Sequence, residues 1–82
     1  MAKIQAAPAR PGIYVFLKKG RVLYVGKASN LKQRLRSYLK PADLKTKILR
    51  HEATAIRYTM LDSPVEALIE EAKLINRLKP EL

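Results

Sequence analysis

The chain has 82 residues, 48% of them hydrophobic, with 17 lysines and arginines against 7 acidic residues and a net charge of +10. That length suits one domain near the lower limit for a self-sufficient core, and that hydrophobic content excludes a disordered basic tail. The absence of cysteine excludes disulfides and thiolate metal sites, no apolar run reaches the length of a membrane span, and Met1-Ala2-Lys3-Ile4-Gln5 is no secretory signal.

Residues 1–10 read as a lead-in, because Pro8 and Pro11 with Ala6, Ala7 and Ala9 argue against regular structure. Ile13–Leu17 is a strand by its β-branched, aromatic and aliphatic content, and Val22–Val25 is a second. Lys18-Lys19-Gly20 joins them into a hairpin. A two-residue turn at Lys19-Gly20 pairs Tyr14 with Val25 and sends Tyr14 and Tyr24 to opposite faces. A three-residue loop pairs Leu17 with Arg21 and Tyr14 with Tyr24, leaving both phenols on one face, and is the expected arrangement.

Gly26 is expected to end the second strand. Ser29 or Asn30 then caps a helix from Leu31 to about Leu39, with Leu31, Leu35, Tyr38 and Leu39 facing inward and Pro41 as its stop. Leu44 to about His51 is a short helix with Asp43 near its start. Ala55–Leu61 is a third strand with Ile56, Tyr58 and Met60 on its buried face. Ser63, Pro64 and Glu66 form a capping box that opens a last helix, running to about Leu78 and ended by Pro80. The order β-β-α-α-β-α predicts an α+β fold: a small, mostly antiparallel three-stranded sheet flanked by helices, in one domain over residues 11–82.

The charge excess on so small a fold points to a polyanionic partner, nucleic acid first. Along the last helix, Val65, Leu68, Ile69, Ala72 and Ile75 cluster on one side, Ala67, Leu74 and Leu78 extend this apolar arc, and Glu66, Glu70, Lys73 and Arg77 form the opposite, solvated face. Glu71 departs from this pattern: it falls within the apolar arc, between Leu78 and Ile75. A carboxylate there is costly unless a cation or hydrogen-bond donors meet it, and reads as a buried salt bridge, a metal ligand or a catalytic acid. Arg34 and Tyr38 are i,i+4 neighbours on the first helix. Lys27 follows Gly26, where the missing side chain permits close approach to a ligand. His51, the only histidine, has no partner for a catalytic triad, and there is no phosphate-binding GxxxxGK[ST] and no second acid beside Glu71 for a two-metal site.

Gly12-Ile13-Tyr14 and, ten residues after that tyrosine, Tyr24-Val25-Gly26 resemble the two halves of the GIY-YIG endonuclease signature. Arg34, eight residues after Gly26, Tyr38 and Glu71 fall at further positions of that family. Pro11-Gly12-Ile13-Tyr14, Leu23-Tyr24-Val25-Gly26-Lys27-Ala28, Arg34-Leu35-Arg36-Ser37-Tyr38 and Glu66-Ala67-Leu68-Ile69-Glu70-Glu71-Ala72 look like its UvrC branch, the N-terminal domains of bacterial excinuclease incision subunits.

The resemblance implies a metal-dependent DNA endonuclease with Glu71 as the protein ligand of one Mg²⁺ or Mn²⁺ ion, otherwise held by water. It implies Tyr24 as general base with Tyr14 beside it, Arg34 on the scissile phosphate, and Lys27, Tyr38 and Gly26 in support. Lys27, Lys32, Arg34 and Arg36 would contact DNA. It further implies a monomer at the bacterial nucleoid, in the cytoplasm and not on a membrane, acting on damaged duplex with UvrB engaged through regions outside this chain. Two departures from the pattern, Lys73 where an asparagine is usual and Glu81-Leu82 where an aromatic–asparagine pair follows the proline, suggest a fragment of a longer protein. The rival readings are a basic nucleic-acid-binding module without catalysis, against which Glu71 speaks, and a free-standing GIY-YIG nuclease.

Overall fold

The computed structural model describes residues 6–40 and 43–81; the expected stop at Pro41 and the first half of the lead-in lie outside them. The elements are β1 (Gly12–Lys18), β2 (Arg21–Ala28), α1 (Leu31–Arg36) continued by a 3₁₀ turn (Ser37–Leu39), α2 (Leu44–Glu52), β3 (Ala55–Met60) and α3 (Pro64–Leu78). The sheet is antiparallel throughout in the order β2-β1-β3, which makes β1 the central strand. The α+β architecture and the element order are those expected.

The hairpin turn differs from the expected three-residue loop. Lys18 pairs with Arg21 and Leu17 with Val22, so the turn is Lys19-Gly20, with φ of 49° and 83°. Two successive positive φ values match the right-handed twist of the flanking strands, and glycine takes the second without strain. Left uncorrected, this turn would separate the two tyrosines. A β-bulge restores the parity: between Phe16 and Leu17 the register shifts, so that Phe16 pairs with Tyr24 and Leu23 is the extra residue. Tyr14 therefore lies opposite Gly26, not Tyr24. Tyr24 sits diagonally from Tyr14 on the same face, with ring centroids 6.2 Å apart. β2 also runs through Gly26 to Ala28, so Gly26 does not end the strand.

One face of the sheet carries the main core. Tyr14, Phe16, Leu23 and Ile56 pack with Leu31, Leu35 and Tyr38 of the α1 segment and Leu49 of α2. Ala7 joins this core, and the carbonyls of Pro8 and Arg10 accept from the first-turn amides of Lys32 and Leu31 at 2.9 and 2.8 Å. The second half of the lead-in is thus tied to the start of α1 by hydrogen bonds that helix N-terminal amides otherwise lack. Asn30 caps α1 by accepting from Gln33 N–H, Asp43 caps α2 through Thr46 N–H, and Ser63 caps α3 through Glu66 N–H. Glu66 reaches back to Asp62 N–H, one residue short of a reciprocal capping box.

Two expected buried faces are corrected. On β3, Ile56 is buried but Met60 is 51% exposed. Met60 lies opposite Gly12 on the central strand, and a glycine offers no side chain to pack against. On α3, which packs against β2 and β1, Ala67 is buried and Glu70, Glu71 and Leu74 are half-buried. The stripe Val65, Leu68, Ile69, Ala72 and Ile75 is exposed. The small side chain of Ala67 lets the helix approach the sheet along the 67–71–74 face, and the bulkier stripe is turned outward.

Candidate active site

The site is built on β1, β2 and α1. Tyr14 is almost wholly buried, and its hydroxyl meets that of Tyr38 at 2.9 Å. Arg34 Nε donates to the same Tyr14 oxygen at 3.1 Å, and the guanidinium lies 5.4 Å from the centroid of the Tyr38 ring. The i,i+4 spacing of Arg34 and Tyr38 thus becomes a clamp: one face of α1 and its 3₁₀ extension grips a phenol projecting from the central strand. Gly26 is required beneath that phenol, since a Cβ at this position would overlap the Tyr14 ring. Its role here is close approach and not termination of the strand.

Electrostatics separate the tyrosines. Burial raises the pKa of Tyr14 above that of an ordinary phenol, against the opposing hydrogen bonds from Tyr38 and Arg34. Burial likewise raises Tyr38 far above the usual range, reinforced by its hydrogen bond to Tyr14. Both are held as neutral phenols at physiological pH, and the hydrogen bond to Tyr14 holds Arg34 protonated. Tyr24 is only half-buried, and among the described residues its hydroxyl has no hydrogen-bond partner. It is the phenol whose oxygen is left open to a ligand or to water.

The remaining expected residues lie outside this cluster. Lys27 is exposed on β2 with its strand neighbour Ile13 opposite, so it alternates away from Tyr14. Even so, it lines a groove with Asn30, Gln33, Arg34 and Ser37 at the start of α1. Lys32 and Arg36 are exposed on the outer face of α1 and line an adjoining groove with Asn30 and Gln33. A third groove joins Lys27, Ala28 and Ser29 to Pro64, Val65, Ala67 and Leu68 of α3. Glu71 stands one helical turn beyond Ala67 on the same face of α3. It is half-buried, less enclosed than its place in the apolar arc suggested, and is not hydrogen-bonded into the tyrosine cluster. Among the described residues Glu71 forms no ion pair, whereas Glu70 pairs with Lys73 at 3.8 Å. The salt-bridge explanation for Glu71 is therefore not met by any described residue.

One contact was not legible in the sequence. Lys45 of α2 places its Nζ 4.1 Å from the centroid of the Tyr24 ring. The two residues are 21 positions apart, on elements whose relative placement no local pattern encodes.

This arrangement has close counterparts. Residues 10–82 match the family model described as the UvrC-like GIY-YIG domain, and the chain belongs to that family. It is 43% identical over 82 residues to UvrABC system protein C of Carboxydothermus hydrogenoformans, covering 95% of this chain and 14% of that protein. It is 45% identical over 83 residues to the protein of that name from Rickettsia bellii, covering 98% of this chain and 13% of the relative. The chain thus spans about one seventh of these relatives' length. The solved GIY-YIG N-terminal endonuclease domain of UvrC from Thermotoga maritima, bound to its catalytic magnesium, superposes with a TM-score of 0.95 at 41% identity, covering 98% of this chain and 90% of that one. Three tyrosine-to-phenylalanine mutants of the Thermotoga domain have also been solved, each with the cation bound. Their tyrosines are ten and then fourteen residues apart, the spacing of Tyr14, Tyr24 and Tyr38.

A divalent cation fits the donor set here. Among the described residues no three His, Asp or Glu side chains gather, so an ion here would take at most two such side chains and be completed by water. That is how a hard cation such as Mg²⁺, which dehydrates reluctantly, is commonly carried. No helix among the described residues is long and apolar enough to cross a membrane.

Proposed function

We propose that this domain hydrolyses a phosphodiester bond in damaged duplex DNA, as in the 3′ incision of nucleotide excision repair. The observation that carries the reading is the Tyr14–Tyr38–Arg34 clamp with Tyr24 open beside it, in a chain of this family.

In this reading Tyr24 Oη, having released its own proton to solvent, takes the proton of the attacking water. A free phenol has a pKa near 10 and is a poor base at neutral pH, so the cations around it matter. The buried, neutral Tyr14 and Tyr38 are unsuited to that task and instead fix the Arg34 guanidinium, which would lie on the non-bridging oxygens of the scissile phosphate. As the water oxygen bonds to phosphorus, the bond to the 3′ oxygen breaks. Glu71 would hold one Mg²⁺ or Mn²⁺ ion, whose contribution when bound is to stabilise negative charge on the departing oxygen. Glu71 is half-exposed, so enclosure in an apolar setting adds little to that grip.

Lys27, Lys32 and Arg36 would hold the flanking phosphates without reading bases, as suits sequence-blind incision. UvrB would be engaged through parts of the protein outside these residues, with the domain itself monomeric and working at the nucleoid in the cytoplasm. The test is incision of a lesion-bearing duplex by the full-length protein with UvrB, with Mg²⁺ or with a chelator. Cutting that requires the cation supports the reading. DNA retained but uncut under all conditions favours a binding module instead.

A further inference from the structure

Lys45 occupies the first turn of α2, directly after its first residue Leu44 and two positions beyond the Asp43 cap. A helix N-terminus carries partial positive charge, so a lysine there is placed against the macrodipole, an unfavourable placement that the neighbouring Asp43 cap carboxylate offsets only in part. Residues that break a local rule commonly do so at functional positions. Here the ammonium of Lys45 lies over the face of the half-buried Tyr24 ring, at cation–π distance. The other charged group directed at this cluster, Arg34, is engaged by Tyr14 and Tyr38. Lys45 is otherwise exposed, and among the described residues it makes no ion pair.

We propose that Lys45 is a positioning residue for Tyr24: it fixes the ring's orientation and favours negative charge on the phenol oxygen that receives the water proton. The proposal rests on the nuclease reading above. The proton passes from water to the Tyr24 oxygen, the O–P bond forms and the P–O3′ bond breaks. Because Lys45 acts through the ring and not on the substrate, its removal falls on kcat and leaves KM in place.

The test uses the full-length protein with UvrB, and cutting is measured at saturating and limiting DNA. Lys45→Met keeps the length and removes the charge. It is expected to lower kcat by about tenfold, with KM within about twofold of wild type, the size a partly desolvated cation–π contact supplies. Lys45→Arg restores most of the rate. Lys45→Glu lowers kcat further yet leaves thermal stability equal or higher, since an acid suits the helix start. Lys47→Glu, on the same exposed helix, leaves kcat unchanged. A wild-type rate in Lys45→Met, no rescue by arginine, or a loss confined to KM overturns the proposal.

The contact itself is read by NMR of the wild-type chain and its Tyr24→Leu variant. The Lys45 ε-methylene protons should be shifted upfield by the Tyr24 ring current, and the shift should vanish in Tyr24→Leu. An absent shift in a protein that cuts overturns the Lys45 assignment alone. A present shift in a protein that does not cut overturns the nuclease reading, and the catalytic role of Lys45 with it.

Discussion

At the residue scale, four tyrosine and arginine side chains divide the labour that the sequence motif lumps together. The signature Gly-Ile-Tyr and Tyr-Val-Gly halves mark Tyr14 and Tyr24 as equals, but burial makes them opposites. Tyr14 is enclosed and hydrogen-bonded twice, and Tyr24 is open. Tyr14→Phe should therefore cost about 1–3 kcal/mol in urea unfolding, since it leaves the buried Tyr38 hydroxyl short of its partner. Tyr24→Phe, which loses no hydrogen bond among the described residues, should unfold within about 0.5 kcal/mol of wild type while incision falls to background. Linkage gives the pH dependence. The pKa values of Tyr14 and Tyr38 are raised in the folded state, so their contribution to stability is complete below the ordinary phenol range. It is lost as pH climbs above about 10, where the unfolded chain ionises first. Tyr38→Phe should show a shallower alkaline decline in chemical unfolding than wild type, compared at matched pH so that the lysines cancel.

At the element scale, most of the fold was legible because its signals are local. Asn30, Asp43 and Ser63 announce the three helix starts, and each accepts the amide hydrogen bond its type implies. Ser63→Ala should lower stability by about 1 kcal/mol and Ser63→Asp should preserve it, measured by thermal or urea unfolding. The hairpin shows where local reasoning stops. The requirement that both tyrosines share a face is met, but by a two-residue turn and a bulge at Leu23 instead of a longer loop. The two solutions give the same facing and differ only in where the extra residue is inserted, which alternation cannot reveal. The packing face of α3 escapes local pattern for a related reason. Its apolar arc is wider than the face that fits the sheet, and the small Ala67 decided which part packs. Glu71 was singled out as standing in a buried arc. It is in fact half-exposed on the packing face, and among the described residues its carboxylate forms no ion pair. Lys45 is not legible in the sequence, because a surface lysine in a short helix carries no periodic signal.

At the scale of the whole molecule, the net charge of +10 is spread over a body only 30 × 26 × 21 Å in extent. Lys27, Lys32, Arg34 and Arg36 concentrate part of it along the grooves beside α1. Binding to duplex DNA should therefore weaken steeply with salt, and replacing Lys32 and Arg36 together with glutamine should reduce the log–log slope by roughly 2, without changing sequence preference. Fluorescence anisotropy across a salt series measures both quantities.

Beside the tyrosine–arginine clamp, Glu71 is the acid whose helical position itself argues for a metal site. The decisive measurement is incision of lesion-bearing duplex by the full-length protein with UvrB and Mg²⁺, comparing Glu71→Gln with Glu70→Gln. Glu70 is the control because it is already paired with Lys73. The account predicts that Glu71→Gln cuts at background level and that Glu70→Gln cuts at the wild-type rate. Undiminished cutting by Glu71→Gln, or loss in Glu70→Gln in its place, would contradict it.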